Sequence, residues 1–231
     1  AVLAMFAGFG LAAAADARTG AATQPLLLAN LRLFDGREPR LRDDVDVLVE
    51  GRRITALPPR DQGPADAERM DCGGRTLMPG LIDAHWHATL AAAPELVVFT
   101  EDFAYVHLLA AREAGATLGR GFTTVRDTGG PAFALKRAID DGVVAGPRVF
   151  PSGAMVSQTS GHGDFRFPNQ LPRVAGEPLD HVQQVGVSAL ADGGAAVLVR
   201  VREQLMKGAS QIKIMAGGGV SSFFDPIGSI Q

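Results

Sequence analysis

The sequence contains a single cysteine, Cys72, among its 231 residues. One thiol forms no intrachain disulfide and supplies no cysteine cage for zinc, so neither device holds this fold together. Basic charge is also short: 22 Lys and Arg stand against 25 Asp and Glu, a net charge of -3. Without a basic stripe, nucleic acid is not an expected partner. Beyond the N-terminal stretch, no apolar run is long enough to cross a bilayer. What remains is an ordinary globular composition, 46% hydrophobic and 20% charged, sized for one large domain or two small ones. Twenty-eight glycines, many of them paired, mark frequent element boundaries.

The opening stretch, AVLAMFAGFGLAAAADARTG, is apolar, carries no charge before Asp16 and ends in small residues. It reads as the hydrophobic core and cleavage site of a secretory signal peptide, with a cut near Ala15 to Ala17, although a buried helix has the same composition. Residues 1–23 are therefore expected to be signal peptide and linker, making few contacts with the rest, and the protein to be secreted or periplasmic and free of the membrane once the leader is removed. The chain opens at Ala1 without a methionine or a basic segment, so its true start is expected upstream.

Residues 24–80 carry strand patterns. In DVDVLVEGRRITAL, Val45, Val47 and Val49 alternate with Asp44, Asp46 and Leu48, the period of a strand with one buried face. A second strand starts at Ile54. From Leu81 the rhythm changes to strands alternating with helices. LIDAHWH, FTTVRD, PRVFPSGAMV and QIKIM read as strands; residues 101–119, 131–142 and 195–208 read as helices, the first with Thr100 as its cap. Four such βα steps signify a parallel sheet flanked by helices. They fit either a small open α/β sheet or the first half of a βα barrel, which needs roughly 250 residues.

LIDAHWH holds the most specific chemistry. Alternate strand residues share a face, so Leu81, Asp83, His85 and His87 point one way while Ile82, Ala84 and Trp86 pack under helices. His85 and His87 then project from the C-terminal end of the strand, where parallel α/β folds place their sites. Two imidazoles one pleat apart can close on one metal ion, and Asp83 lies deeper on that face as an orienting group. H-x-H alone is a weak pattern, equally compatible with two histidines of no ligand role.

In QIKIM, Lys213 lies between Ile212 and Ile214, which puts it on the interior face with Gln211 and Met215. An unpaired buried lysine is costly. It either reaches outward or changes its charge, and a neutral amine can add carbon dioxide to become a carbamate, an anionic oxygen ligand. After the third strand, VSQTSGHGDFR places His162 and Asp164 among glycines, where backbone approaches a ligand closely. His162 is a candidate to polarise a carbonyl or to hold a substrate carboxylate, with Arg166 joining in charge pairing. The plainer reading is a turn whose histidine caps a neighbour. Asp127 ends the second strand and is expected to bond backbone amides in DTGG. His107 and His181 read as surface residues, mid-helix and in a loop. AGGGVSS after Lys213 looks like a phosphate loop but lacks the following Lys-Ser/Thr.

Taken together, LMPGLIDAHWHA, GFTTVRDTGG, GPRVFPSGAMVSQTSGHGD and GASQIKIMAGGGVSS resemble the amidohydrolase superfamily. Within it they resemble the branch of imidazolonepropionase-like and Xaa-Pro dipeptidase-like metal-dependent hydrolases, in the family's order from Pro25 onward. The resemblance implies the α/β class: about four βα units forming the N-terminal half of a TIM-like barrel over 81–231, preceded by part of a small β-sandwich over 24–80. It implies two divalent metal ions, expected to be zinc, with His85 and His87 as ligands of the first and a Lys213 carboxylated by CO2 bridging both. The family's remaining two histidines and catalytic aspartate would lie beyond Gln231. It further implies hydrolysis of an amide, in a dipeptide or N-acyl amino acid, by metal-activated hydroxide. Asp83 and Asp127 would support the ligands, and His162, Asp164 and Arg166 would meet substrate, with His162 acting catalytically. A cyclic-amide hydrolase and a non-catalytic binding protein on the same scaffold are the alternatives. The chain taken alone would be an inactive fragment, and homo-oligomerisation is left open.

Overall fold

In the computed structural model, residues 3–4, 24–170, 178–219 and 225 are described. The chain forms two compact units, Ala1–Leu81 and Ile82–Gln231.

The first unit is all β. Its strands are β1 (Leu3–Ala4), β2 (Leu26–Ala29), β3 (Arg32–Leu33), β4 (Val47–Glu50), β5 (Arg53–Ala56), β6 (Glu68–Asp71) and β7 (Thr76–Pro79). One sheet has the order β5-β4-β2-β6 and a smaller one the order β1-β7-β3. Leu28, Leu31, Val45, Val47, Cys72 and Leu77 form the core of this unit. The expected alternation fails at Asp46 and at Leu48, which are buried like Val45 and Val47; Leu48 aside, the unexpected case is Asp46. That residue is fully buried, and its Oδ2 accepts the Asp61 amide at 3.0 Å. Most of the leader-like stretch, including the expected cleavage site, lies outside the described residues. Where few contacts were expected, Leu3–Ala4 pairs antiparallel with Met78 and Pro79.

The second unit alternates strands and helices: β8 (Leu81–Trp86), α1 (Glu95–Thr100), α2 (Phe103–Gly119), β9 (Phe122–Asp127), α3 (Phe133–Asp140), β10 (Arg148–Pro151), β11 (Met155–Ser157), α4 (His181–Gln184), β12 (Ser188–Leu190) and α5 (Gly194–Met206). One sheet runs β10-β9-β8, with β10 parallel to β9. A second pair, β11 and β12, is also parallel, and Ile214 adds a parallel bridge to Val156. Trp86 and Ala88 pack with Ala110 and Ala114 of α2 and Val125 of β9. A second cluster joins Met155 and Met215 to Val98, Phe99 and Val106.

Five expectations change here. The first expected helix is α2, but its cap is Asp102, whose carboxylate accepts the Ala104 amide; Thr100 instead ends an additional short helix, α1, and bonds Leu96 O. The third strand breaks at Ser152–Gly153 into β10 and β11, because Gly153 has φ +75°. QIKIM makes a single bridge rather than a full strand. Ile82 is 69% exposed, since β8 is an edge strand whose apolar cover begins at Trp86. His181, expected in a loop, is the first residue of α4.

Candidate functional site

β8 delivers Asp83 and His85, and His87 follows directly after it. The two imidazoles lie with centroids 5.2 Å apart, tilted by 51°. His85 is exposed and His87 half-buried. His87 is held at both nitrogens: Nδ1 lies 3.1 Å from Gly129 O and Nε2 lies 3.3 Å from Thr128 Oγ1. A carbonyl only accepts, so the proton belongs on Nδ1 and Nε2 keeps its lone pair. Burial, above all, depresses the His87 pKa; the Gly129 bond opposes this, while the His85 and Lys213 charges push it lower and Asp83 pushes back. A neutral imidazole with an oriented lone pair is the metal-binding form.

The DTGG turn after β9 builds this pocket wall. Asp127 is fully buried, and its carboxylate accepts the Ala88 amide at 2.7 Å and the Gly129 amide at 3.3 Å. It thereby ties the end of β9 to the residue following His87. Burial pushes its pKa up to about 7 against those two amide bonds. Gly129 has no room for a side chain: a Cβ would lie 2.4 Å from Met155 Cγ and 3.2 Å from His87 Cε1. Asp83 takes a more local part than expected. Its Oδ1 accepts the backbone amide of His85 at 2.9 Å, which shapes the strand rather than an imidazole.

Lys213 is half-buried. Its carbonyl accepts Val156 N at 3.0 Å, and Met215 N donates to Val156 O at 2.9 Å, so this segment runs alongside β11. Its charge bears on His87, lowering that ring's pKa. Among the described residues, no three of His, Cys, Asp and Glu group closely enough to hold a metal. The lone pairs available are therefore those of two imidazoles, since Lys213 offers an oxygen ligand only once carboxylated. That chemistry fits a divalent ion, with His87 already in the ligand tautomer.

The loop from Ser157 to Phe167 is braced from within. Ser157 Oγ accepts Gly163 N, Asp164 accepts the Ser160 amide at 2.8 Å, and Arg166 Nε donates to Asp164 at 2.7 Å. The Arg166 and Asp164 side chains are only 4% and 7% exposed. Burial opposes ionisation of Asp164, yet the guanidinium and the Ser160 amide outweigh it and hold its pKa low. These two residues thus face each other and set the loop's shape. His162 stands apart from them, 20% exposed, with Asp225 Oδ2 3.9 Å from its Nδ1. Sequence reasoning passed over Asp225. The available signal was that it is the only acidic residue after Glu203, set in the apolar run FFDPI. His107, read as a surface residue, is half-buried and bonds Phe103 O and Pro131 O.

Several known proteins resemble this chain. Ochratoxinase of Aspergillus niger is 36% identical over 163 residues, which cover 63% of this chain and 32% of that protein. Imidazolonepropionase of an Arthrobacter species is 30% identical over 163 residues, covering 69% of this chain and 38% of that one. Among solved structures, a prolidase complexed with N-methylphosphonate-L-proline superposes with a TM-score of 0.80 at 37% identity, over 90% of this chain and 50% of that chain. A. niger ochratoxinase superposes with a TM-score of 0.71 at 28% identity, over 88% and 49%. The chain thus spans about half the length of these structures and about a third of the curated relatives. The fold is α/β, part of a TIM-like barrel accompanied by a small β unit. Residues 76–231 match the amidohydrolase family, and the chain belongs to that family.

Proposed function

We propose that this chain is part of a metal-dependent hydrolase of C–N bonds whose substrate carries a carboxylate beside an amide, as a dipeptide or N-acyl amino acid does. The observation that carries the reading is the placement of His87 beside His85, its Nδ1 turned to Gly129 O and its Nε2 facing only the Thr128 hydroxyl, which a metal ion would displace. His85, His87 and a carboxylated Lys213 would hold two divalent ions, expected to be zinc. When bound, such ions supply a nucleophilic water at neutral pH and Lewis-acid polarisation of the carbonyl.

The chain's own residues do the rest. Gly129 O fixes the ring of His87, Asp127 joins β9 to the backbone after His87, and Asp83 shapes the turn of β8. The Asp164–Arg166 pair holds the loop so that His162 is presented to a substrate oxygen, either the scissile carbonyl or the neighbouring carboxylate. The likeness to a prolidase and to an ochratoxinase supports the open-chain amide, and the weaker likeness to imidazolonepropionase keeps a cyclic amide as the second reading. We also propose that the apolar N-terminal stretch exports the protein.

The test is metal content and turnover in the full-length protein. His87→Ala and Lys213→Ala should each lower bound zinc, measured by elemental analysis, and reduce dipeptide hydrolysis by roughly 100-fold or more. Full metal loading and near-normal turnover in both variants would refute the assignment.

A further inference from the structure

The glycine run after Lys213 remains unexplained by phosphate binding, and the structure gives it another purpose. A Cβ on Gly219 would lie 2.0 Å from His162 Cε1 and 2.4 Å from each ring nitrogen. The backbone here is not left-handed, so it is space for the imidazole, not backbone freedom, that requires glycine. A few residues on, the Asp225 side chain is 3% exposed and reaches to 3.9 Å from His162 Nδ1. That nitrogen is buried, and no hydrogen-bond partner meets it among the described residues. Two separate contacts from the same stretch of chain thus converge on one ring.

We infer that Asp225 is a positioning residue for His162. This rests on the reading above, in which His162 meets a substrate oxygen. A carboxylate only accepts, so the ring nitrogen facing it carries a proton, and the orientation of the ring follows from that. Closing the gap to hydrogen-bond distance needs a shift of about 1 Å. With Nδ1–H turned to Asp225 and the Cε1 edge against Gly219, Nε2 is the ring atom left for the substrate. The stretch that does this begins immediately after Lys213, whose backbone pairs with β11, the strand that leads into the loop carrying His162. One β-bridge therefore links the segment carrying the lysine of the candidate metal centre to the strand that leads into the substrate loop.

The test uses the full-length protein in two arms. In the first, nitrogen-15 NMR of the histidine rings, with His162 assigned by its loss in His162→Gln, reads the proton position without substrate. The expected result is a proton on Nδ1 in the native protein and a redistribution towards Nε2 in Asp225→Ala. In the second, dipeptide hydrolysis is compared in Asp225→Ala, His162→Gln and the double variant. Asp225→Ala should lower kcat/KM by about 10- to 100-fold, and the double variant should be no slower than His162→Gln alone. Asp225→Leu, which nearly keeps the side-chain shape but has no acceptor, replaces Asp225→Ala in both arms if the latter fails to fold. An unchanged proton position, or losses that multiply in the double variant, would overturn the inference. A protein inactive on every amide yet showing the ring redistribution would count against the proposed function and leave the Asp225–His162 pair standing.

Discussion

Asp127 shows how much of this site rests on one buried carboxyl group. It accepts two backbone amides, but burial dominates and raises its pKa to about 7. An acid whose folded value is raised binds its proton more tightly when folded. Its stabilising contribution is complete below about pH 4, the unfolded value, and is lost as pH rises through about 7. We therefore expect the metal-free full-length protein to lose stability relative to Asp127→Asn between about pH 4 and pH 8, by on the order of 4 kcal/mol. Urea unfolding of both proteins across that range is the measurement, and parallel stability curves would contradict it. His85, His87 and Lys213 could be singled out as candidates because a strand's period of two needs no knowledge of distant neighbours, although QIKIM makes only one bridge. Asp225 was not, because its relation to His162 spans dozens of residues and a glycine whose role is purely spatial. Asp164 and Arg166 were legible as charged residues of the loop, expected to meet substrate; that they instead close on each other was not legible, since burial is set by the folded loop.

At the scale of elements, the strands and helices with clear periodicity were readable, and the breaks between them were not. Nothing in PRVFPSGAMV announces that β10 will pair with β9 while β11 pairs with β12. The switch occurs at Gly153, with φ +75°. A Cβ there would also lie 2.3 Å from Gln204 Oε1 and 2.8 Å from Phe133 Cζ. Gln204 is needed where it is, because its Oε1 accepts the Ala154 amide at 2.9 Å, tying α5 to the start of β11. Gly153→Ala meets both the left-handed penalty and a close approach, so it should destabilise by about 2–4 kcal/mol. A fall in Tm of several degrees in the full-length protein is expected, and an unchanged Tm would show that the kink tolerates a side chain. β12 escaped notice for a different reason: three residues, all buried, show neither alternation nor turn signals of their own. The helix over 101–119 was visible through its length, yet its cap was misplaced by two residues because Thr100 and Asp102 both qualify chemically.

At the scale of the whole molecule, apolar side chains on strands stand exposed in the second unit: Ile82 at 69%, Ile214 at 57% and Phe150 at 42%. Strands of parallel α/β sheets normally have both faces covered, so such residues mark faces that packing has not closed. Sheet edges with free amides and carbonyls invite pairing with another chain. The candidate metal centre draws on His85, His87 and Lys213, whereas a binuclear site needs more donors than three. The superposed prolidase is twice the aligned length of this chain, which is where further strands and ligands are to be sought. Residues 24–231 produced alone should therefore self-associate, unfold without a sharp transition and show no zinc-dependent hydrolysis of dipeptides. Where the encoded sequence continues past Gln231 with the missing strands, co-production with that part should restore a defined oligomeric state and metal binding. Light scattering, thermal unfolding and a dipeptide panel on the two preparations decide the matter. A monomer of 24–231 with a cooperative transition and zinc-dependent turnover would mean that three ligands and an open sheet suffice, and that the exposed isoleucines are ordinary surface.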